Sequence, residues 1–221
     1  MRSTITSLVA GMLLTAGVGT ASAAVIPVAN GSFETLPAAG LPNPCGTGCS
    51  FSANDPVPGW TGSGGFGQFQ PGPAAGNTTF FNTVPDGITV AYSNGGSLSQ
   101  TVGAVAQAGV TYTLMVDLGF RKDALDNATA ELVVGSNTIV NVLSATQLTG
   151  DWVTDTVTYT ATAADAGAAI SIILVSQGIQ GDWDNVRLSD SLGTVAAPEP
   201  ISLALLGPAL GMLGLLRRRR A

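Results

Sequence analysis

The sequence predicts an all-β protein built as an antiparallel β-sandwich. Between its two ends, the 221-residue chain holds many short segments rich in Val, Ile, Thr and Tyr, often alternating with polar residues and bounded by Gly, Asn, Asp or Pro. No stretch of this region sustains the apolar period of 3.6 residues that an amphipathic helix requires. Because many short strands need two facing sheets to bury their apolar sides, these observations predict a sandwich.

The strands can be placed in order from alternation and turn residues. The predicted strands cover residues 96–102, 111–120, 129–134, 138–143, 152–162, 169–176 and 183–188. The stretch 161–169 is rich in alanine and is predicted to be a linker. Residues 35–73 are crowded with Gly and Pro, which predicts long loops at one end of the sandwich.

The N-terminus has the three parts of a secretory signal peptide. Arg2 supplies the positive region, residues 5–14 the apolar region, and Ala21-Ser22-Ala23 a cleavage site of small residues. The domain organisation that follows is a signal peptide at 1–23, an exported β-sandwich domain at 24–197 and a sorting segment at 198–221.

The C-terminus contains Pro198-Glu199-Pro200, an apolar run at 201–216, and the basic cluster Arg217, Arg218, Arg219 and Arg220. The run is slightly shorter than the roughly 17 to 25 residues of a spanning helix and contains Gly and Pro, which favours transient membrane insertion. The arginines would stay on the cytoplasmic side.

This order of parts resembles the PEP-CTERM sorting signal of Gram-negative bacteria, also named the ice-binding protein C-terminal domain. The resemblance implies processing by an exosortase, a transient inner-membrane anchor, and delivery to the cell surface or extracellular matrix. A plain C-terminal membrane anchor is the alternative.

The charge of the central region excludes one class of partner. Of the 8 basic residues only Arg121, Lys122 and Arg187 lie between residues 24 and 197, against 13 of the 14 acidic residues. The resulting net charge of about −10 would repel nucleic acid and anionic lipid.

Cys45 and Cys49 are the only cysteines of the chain. An oxidising compartment would allow them to form a local disulfide that pins a surface excursion. A metal site is the alternative, but the chain has no histidine to complete one.

Short motifs spread over the central region carry a second resemblance. They are Asn30-Gly31-Ser32-Phe33-Glu34, Pro58-Gly59-Trp60, Val84-Pro85-Asp86-Gly87, Gly96-Ser97-Leu98-Ser99-Gln100, Gly109-Val110-Thr111-Tyr112-Thr113-Leu114 and Trp183-Asp184-Asn185-Val186-Arg187-Leu188. Their order resembles that of galactose-binding-like jelly rolls, which include carbohydrate-binding modules and DUF642 proteins of plant cell walls. The resemblance implies an antiparallel jelly-roll β-sandwich whose first and last strands are adjacent.

The same resemblance implies a structural Ca²⁺ ion between those strands. Glu34 and Asp184 would offer carboxylates and Ser32 its backbone carbonyl, while further oxygen ligands would come from elsewhere. The alternative is that both carboxylates are solvated strand ends.

The residue types argue against catalysis. Without histidine, and with both cysteines oxidised, the usual nucleophile, base and metal arrangements are incomplete. A pair of carboxylates for glycoside hydrolysis remains as a distant alternative. The acidic residues near Arg121 and Lys122 are more simply a charged hairpin connection, so no catalytic residue is predicted.

Exposed aromatic rings flanked by amides are typical of glycan-binding sites on β-sandwiches. The candidates for such a site are Phe66, Phe69, Phe81, Gln68 and Gln70. The alternating threonines at 154–162 are predicted to be the solvent face of an ordinary strand rather than an ice-binding plane. The sequence therefore predicts an exported, non-enzymatic surface or matrix protein associated with exopolysaccharide or biofilm, with a carbohydrate-binding module as the alternative.

Overall fold

The strands of this chain form where alternating apolar residues face a common core. The computed structural model describes residues 22–72, 79–125, 128–141, 149–177 and 180–194. Its strands, in chain order, are β1 (Ser22–Ile26), β2 (Asn43–Gly46), β3 (Cys49–Phe51), β4 (Thr61–Gln70), β5 (Val90–Val105), β6 (Thr111–Gly119), β7 (Ala128–Val134), β8 (Asn137–Val140), β9 (Trp152–Thr160), β10 (Ala169–Ser176) and β11 (Gln180–Thr194). The part from Ala23 to Gly193 forms one compact unit.

The strands are arranged in two groups. The first has the order β2-β3-β4-β5-β10-β7-β8, and the second has the order β1-β11-β6-β9. A short pairing of β5 with β11 joins the two groups. Every pair whose register is described is antiparallel. The predicted all-β, antiparallel class is therefore confirmed, and the arrangement is consistent with a β-sandwich.

The main core lies between the two groups. On β10, Ile170, Ile172 and Leu174 are fully buried and alternate with half-buried residues. On β6, Leu114 and Val116 are buried in the same cluster. Burying one such side chain contributes about 1.5 to 3 kcal/mol, so this alternation on facing strands explains why the groups pack together.

The strand β5 changes partner in its middle. Residues 91–94 pair with β11, whereas residues 97–105 pair with β10. Gly95, between the two parts, has a φ of 68°, a left-handed conformation that favours glycine. The sequence predicted a strand only over 96–102, because Asn94 and Gly95 are typical turn residues. The chain bends there without leaving the sheet.

The prediction of long loops at residues 35–73 was wrong in part, because β2, β3 and β4 lie in this segment. The glycines of β4 resemble turn signals but serve close packing. A Cβ atom at Gly67 would clash with the Ser52 carbonyl and crowd the Tyr92 ring. The predicted alanine-rich linker contains a 3-10 turn, Ala163–Asp165, which is the only helical element in the described ranges.

The predicted signal peptide, apart from its last residues, and the predicted sorting segment lie outside the described residues. Within the part of the chain that the structure describes, no helix has the length and apolar character needed to cross a membrane. The threonines at 154–162 are exposed, while Asp155 and Val157 between them are buried.

Candidate functional site: an aromatic cavity

A second apolar cluster lies on the side of β5 that faces away from the main core. Ala91 belongs to the main core, whereas its neighbours Val90 and Tyr92 belong to the second cluster. Successive side chains on a strand point to opposite faces, so the two clusters lie on opposite faces of the sheet. The buried members of the second cluster are Cys49, Phe69, Phe81, Val90 and Tyr92.

Aromatic rings from four segments form the walls of this cluster. Phe51 of β3 lies opposite Phe69 of β4 in the strand pairing. Tyr92 of β5 makes edge-to-face contacts with both rings, with centroid separations of 6.3 Å to Phe51 and 6.0 Å to Phe69. Phe80, from the segment before β5, meets Phe69 edge-to-face at 5.8 Å. Such pairs add about 0.5 to 1.5 kcal/mol beyond area burial, which keeps the walls ordered.

A disulfide bond ties the β2–β3 hairpin beside these rings. Cys45 and Cys49 are bonded to each other, and among the described residues no cysteine is free. Cys49 is buried in the cluster, and Cys45 packs against it. The bridge therefore holds one wall of the cluster and does more than pin a surface excursion.

A cavity of about 190 Å³, partly open to solvent, lies beside the cluster. Its lining residues are Cys45, Phe51, Phe69, Phe80, Tyr92, Asn94, Arg121 and Gln180. Ligand pockets for drug-sized molecules occupy about 300 to 1,000 Å³, so this cavity suits a compact ligand of about one fused ring system. Its walls are aromatic, and its polar groups come from an amide pair and one guanidinium.

Arg121 supplies the charged part of the lining. Its guanidinium carbon lies 4.5 Å from the centroid of the Phe80 ring, in a cation–π contact. Nη1 donates to Oε1 of Gln180 at 2.6 Å, while Nε and Nη2 donate to the Asp123 carboxylate at 2.9 and 2.7 Å. The hydrogen bond from Arg121 lowers the pKa of Asp123. These contacts fix the guanidinium at the cavity.

A buried acid lies next to the lining residues. Asp182 of β11 is fully buried and lies opposite Tyr92 in the pairing of β11 with β5. Nε2 of Gln180 donates to Oδ1 of Asp182 at 2.9 Å. Since residues two apart on a strand share a face, Asp182 points to the same side as Gln180.

Tyr92 remains neutral in this setting. Its hydroxyl donates to the Ser52 carbonyl at 2.7 Å. Burial, followed by the charges of Asp182 and Asp55, raises the pKa of Tyr92 to about 12. Tyr92 is thus a phenol at neutral pH and acts as a hydrogen-bond donor and an aromatic wall.

The predicted calcium ligands lie apart from the cavity lining and hold a loop. Oε1 of Glu34 accepts hydrogen bonds from the backbone N–H groups of Ile88, at 2.9 Å, and Thr89, at 2.7 Å. Oδ2 of Asp184 accepts one from the N–H of Asp86 at 2.9 Å. Both carboxylates therefore anchor the segment 86–89 immediately before β5.

The electrostatics of Asp184 are unusual. It is fully buried. Burial, followed by the charges of Asp86 and Asp117, raises the pKa of Asp184 to about 8, although hydrogen bonds from the backbone N–H groups of Asp86 and Asn185 act in the opposite direction. The N–H of Val186 donates to the carbonyl of Gly31, next to Ser32, so the opening and closing motifs are adjacent. In the described ranges, no group of three or more Asp, Glu, Cys or His side chains is close enough to hold a metal ion.

The predicted glycan-binding residues do not form an exposed platform, which corrects that prediction. Gln68 is buried and donates to the carbonyls of Phe33 and Thr35. Phe69 and Phe81 belong to the second cluster. Two further candidates are half-buried: Phe66 packs against the main core, and Gln70 donates to the Thr89 hydroxyl at 3.1 Å.

Sequence reasoning missed the cavity itself. It assigned the residues around Arg121 to a charged hairpin connection, and it did not single out Tyr92, Gln180 or Asp182. The pairing of β5 with β11 brings Tyr92 close to Gln180 and Asp182, although about 90 residues separate them in the sequence. The one local signal was the placement of a basic residue in a region that has almost none.

Comparison with known proteins identifies relatives of this architecture. A family model described as HpiC1 cyclase matches residues 24–189. The Stig cyclase Fisc from Fischerella sp. TAU, in complex with (3Z)-3-(1-methyl-2-pyrrolidinylidene)-3H-indole, is similar with a TM-score of 0.63 and 25% identity over 76% of this chain and 98% of that one. A cyclase from Fischerella sp. TAU in complex with 4-(1H-indol-3-yl)butan-2-one has a TM-score of 0.62 and 25% identity over 75% and 96% of the two chains. No curated protein matches the chain.

These findings contradict the prediction of a non-enzymatic surface or matrix protein, and with it the carbohydrate-binding and hydrolase alternatives and the biofilm association. The prediction failed for a physical reason. The absence of histidine and of free cysteine excludes many hydrolytic arrangements, but acid-catalysed ring closure needs only a positioned carboxyl group and a binding cavity.

Proposed function

The chain belongs to the HpiC1-like cyclase family, and from this membership we propose that it closes a ring within a compact substrate that carries an indole-like aromatic group. The observation that carries the proposal is the aromatic cavity with a buried carboxyl group beside it. The two similar cyclases were solved with indole compounds, which suggests this substrate class.

The aromatic walls would bind the substrate ring. Phe51, Phe69 and Tyr92 present ring edges and faces from three strands to the same cavity. Aromatic rings prefer offset or edge-to-face arrangements, so these walls suit a flat ring system. Their faces also stabilise a positive charge that develops on the substrate during ring closure.

Asp182 is the group that we propose handles the proton. Acid-initiated ring closure adds a proton to a carbonyl or alkene on the side chain of the substrate, forms a bond from a ring carbon to the resulting cationic centre, and then releases the ring proton. The product of such a step is an isomer of the substrate, so no co-substrate is consumed. A positioned carboxyl group accelerates proton transfer by typically about 10² to 10⁴-fold.

The neighbours of Asp182 support this role. Gln180 bonds to Oδ1 of Asp182 and also lines the cavity, so it connects the acid to the ligand space. Tyr92 lies directly across the strand pairing and keeps its proton. Tyr92 would orient the substrate and exclude water, leaving the carboxyl group as the exchangeable proton site.

The test combines binding with turnover. The ketone 4-(1H-indol-3-yl)butan-2-one should bind the purified protein with saturation in calorimetry, and Phe69→Ala should weaken that binding. Indoles with a carbonyl or alkene side chain should yield cyclised products that have the mass of the substrate but differ from it in chromatographic retention time and NMR spectrum. Asp182→Asn should reduce turnover by about 10²-fold or more while the ketone still binds. Full turnover by folded Asp182→Asn would exclude Asp182 as the acid.

We propose, as the finer description of the fold, a jelly-roll sandwich with a structural Ca²⁺ ion. Carboxylate and carbonyl oxygens are suitable ligands for Ca²⁺, and Glu34, Asp184 and the carbonyl of Ser32 would contribute them. The accumulation of negative charge around the buried Asp184 supports a cation there. A rise in melting temperature with Ca²⁺ that EDTA reverses, and that Asp184→Asn abolishes, would support the site.

We further propose that the enzyme is exported and sorted. Residues 1–23 and the segment beginning at Pro198-Glu199-Pro200 support export, transient membrane insertion and processing by an exosortase. Fractionation of cells that carry the full chain, compared with a chain in which Pro198 and Pro200 are replaced by alanine, tests this. Identical size and location of the two chains would exclude sorting at this motif.

A further inference from the structure

The few basic residues of the central region are placed unevenly. Only three lie between residues 24 and 197, and two of these, Arg121 and Lys122, are adjacent and follow β6. Arg121 lines the aromatic cavity, and Nζ of Lys122 donates to the carbonyl of Phe81, a member of the second cluster. On a region with a net charge of about −10, two of the three basic residues therefore lie at or next to this cavity, where Arg121 is paired with Asp123.

The guanidinium of Arg121 is held in one orientation. Its side chain is only 13% exposed, whereas that of its ion-pair partner Asp123 is 43% exposed. The Phe80 ring lies on one side of it, and Gln180 accepts from Nη1. A planar guanidinium fixed in this way is pre-organised for an acceptor with two oxygens.

We propose that Arg121 selects substrates whose aromatic ring carries a carboxylate group. This inference rests on the proposed function, because it assigns the aromatic walls to the substrate ring. The cavity lining also includes Asn94, Arg121 and Gln180, and a short side chain on a ring bound between Phe51, Phe69 and Tyr92 would extend toward these polar groups. The amides would donate further hydrogen bonds to the same carboxylate.

Asp123 sets the strength of this selection. Its carboxylate accepts hydrogen bonds from Nε and Nη2 of Arg121, and a substrate carboxylate would share these donors or displace Asp123 from them. The exposed position of Asp123 means that it can be resolvated when displaced. The protein as a whole repels anions, so affinity for a carboxylate has to come from the cavity itself. Preference for the anion should therefore depend on Arg121 specifically and not on overall charge.

Two indole compounds of nearly equal shape test the proposal. The anion 3-(1H-indol-3-yl)propanoate differs from 4-(1H-indol-3-yl)butan-2-one by an oxygen in place of a methyl group. Calorimetry on the purified protein should give a dissociation constant about 10-fold lower for the anion, since hydrogen bonds to charged groups are the strong ones.

Variants at the Arg121–Asp123 ion pair separate the effect of the guanidinium from the effect of overall charge. Arg121→Gln should abolish the preference for the anion, and Arg121→Lys should restore only part of it because the forked donor geometry is lost. Asp123→Asn should strengthen binding of the anion several-fold by removing the competing carboxylate. Lys122→Gln is the matched control, since it removes an adjacent positive charge that does not line the cavity, and should change the ratio of the two constants by less than about twofold.

The outcomes are distinguishable. Equal or tighter binding of the ketone by the unmodified protein, or an unchanged preference in Arg121→Gln, overturns the selection by Arg121 and leaves the ring-binding proposal intact. Binding of neither compound overturns both. If Arg121→Gln fails to fold, the comparison of the two ligands and the Asp123→Asn result still decide the question, since weaker binding of the anion by Asp123→Asn contradicts the proposal.

Discussion

Asp182 lies directly opposite Tyr92 where β11 pairs with β5, so a buried carboxyl and a buried phenol share the face of the sheet that bears the cavity. This short pairing also joins the two groups of strands. The backbone pairing of β5 with β11 therefore both connects the two groups of strands and places an acid beside the aromatic walls. A change at either residue should affect both stability and ligand binding.

Removal of the Tyr92 hydroxyl should change stability in a way that depends on pH. Tyr92→Phe loses the hydrogen bond to the Ser52 carbonyl, which should cost about 1 kcal/mol at pH 7. The folded-state pKa of about 12 exceeds the ordinary value of 10, so the protonated phenol stabilises the fold below pH 10. This contribution is lost as the pH rises from 10 to 12. Urea unfolding between pH 7 and 12 should show a smaller loss of stability over this interval in Tyr92→Phe than in the unmodified protein.

Asp155 is a second buried acid, and its replacement should increase stability. The side chain is buried on β9, accepts from Asn141 at 3.0 Å, and has its pKa raised chiefly by burial. A raised pKa favours the protonated form in the folded state, so the contribution to stability is present at low pH and is lost as the pH rises through the folded-state pKa. Asp155→Asn should therefore be about 1 kcal/mol more stable than the unmodified protein at pH 7.

The advantage of Asp155→Asn should shrink as the pH is lowered from 7 to 4, because acid favours the neutral form of the native carboxyl, whose pKa is raised. Urea unfolding at both pH values measures this. Equal stability of the two proteins at pH 7 would contradict the prediction, because it would mean that burial of the Asp155 carboxylate does not destabilise the fold. The half-buried Asp190 on β11 provides the control, because the side-chain oxygen of Asp190→Asn can still accept the hydrogen bond from the N–H of Leu192 and the change should alter stability by less than about 0.5 kcal/mol at either pH.

Opening the disulfide should weaken both the fold and ligand binding in the cavity. The bridge between Cys45 and Cys49 closes a very short loop, so its loss should cost about 2 kcal/mol of unfolding free energy. Cys45 lines the cavity, and the β2–β3 hairpin also carries Phe51. The Cys45→Ser, Cys49→Ser double variant should therefore bind the indole ketone several-fold more weakly at a temperature at which the protein remains folded. Unchanged binding would show that Phe51 is held in place by β4 alone.

The sequence predicted the strands of the main core because their apolar residues alternate, as at 169–176, where the predicted and observed bounds of β10 coincide. It did not predict β4, whose glycines serve close packing against Ser52 and Tyr92 rather than turns. The sequence did not predict the cavity, for a different reason. Its acid and its phenol lie on strands whose pairing is fixed by the fold, and local patterns carry no information on such distant contacts.

The anchoring of segment 86–89 by Glu34 leads to a last prediction. Gly87 has a φ of 70°, and a Cβ atom there would clash with the Glu34 carboxylate. Gly87→Ala should thus be destabilised by two effects: the left-handed backbone conformation, at about 1 to 2 kcal/mol, and displacement of the carboxylate from the N–H groups of Ile88 and Thr89. Chemical unfolding should show a loss of more than about 2 kcal/mol.

Gly167→Ala is the matched control, because Gly167 has a φ of 82° and open space around a Cβ atom. It should show the backbone effect alone. A double-mutant cycle isolates the second effect: in an Glu34→Ala background, Gly87→Ala should lose no more stability than Gly167→Ala does. Repeating the cycle in Ca²⁺ and in EDTA separates anchoring of the loop from metal binding. Equal losses for both glycine variants in the unmodified background would show that Glu34 moves aside without cost and does not hold the segment.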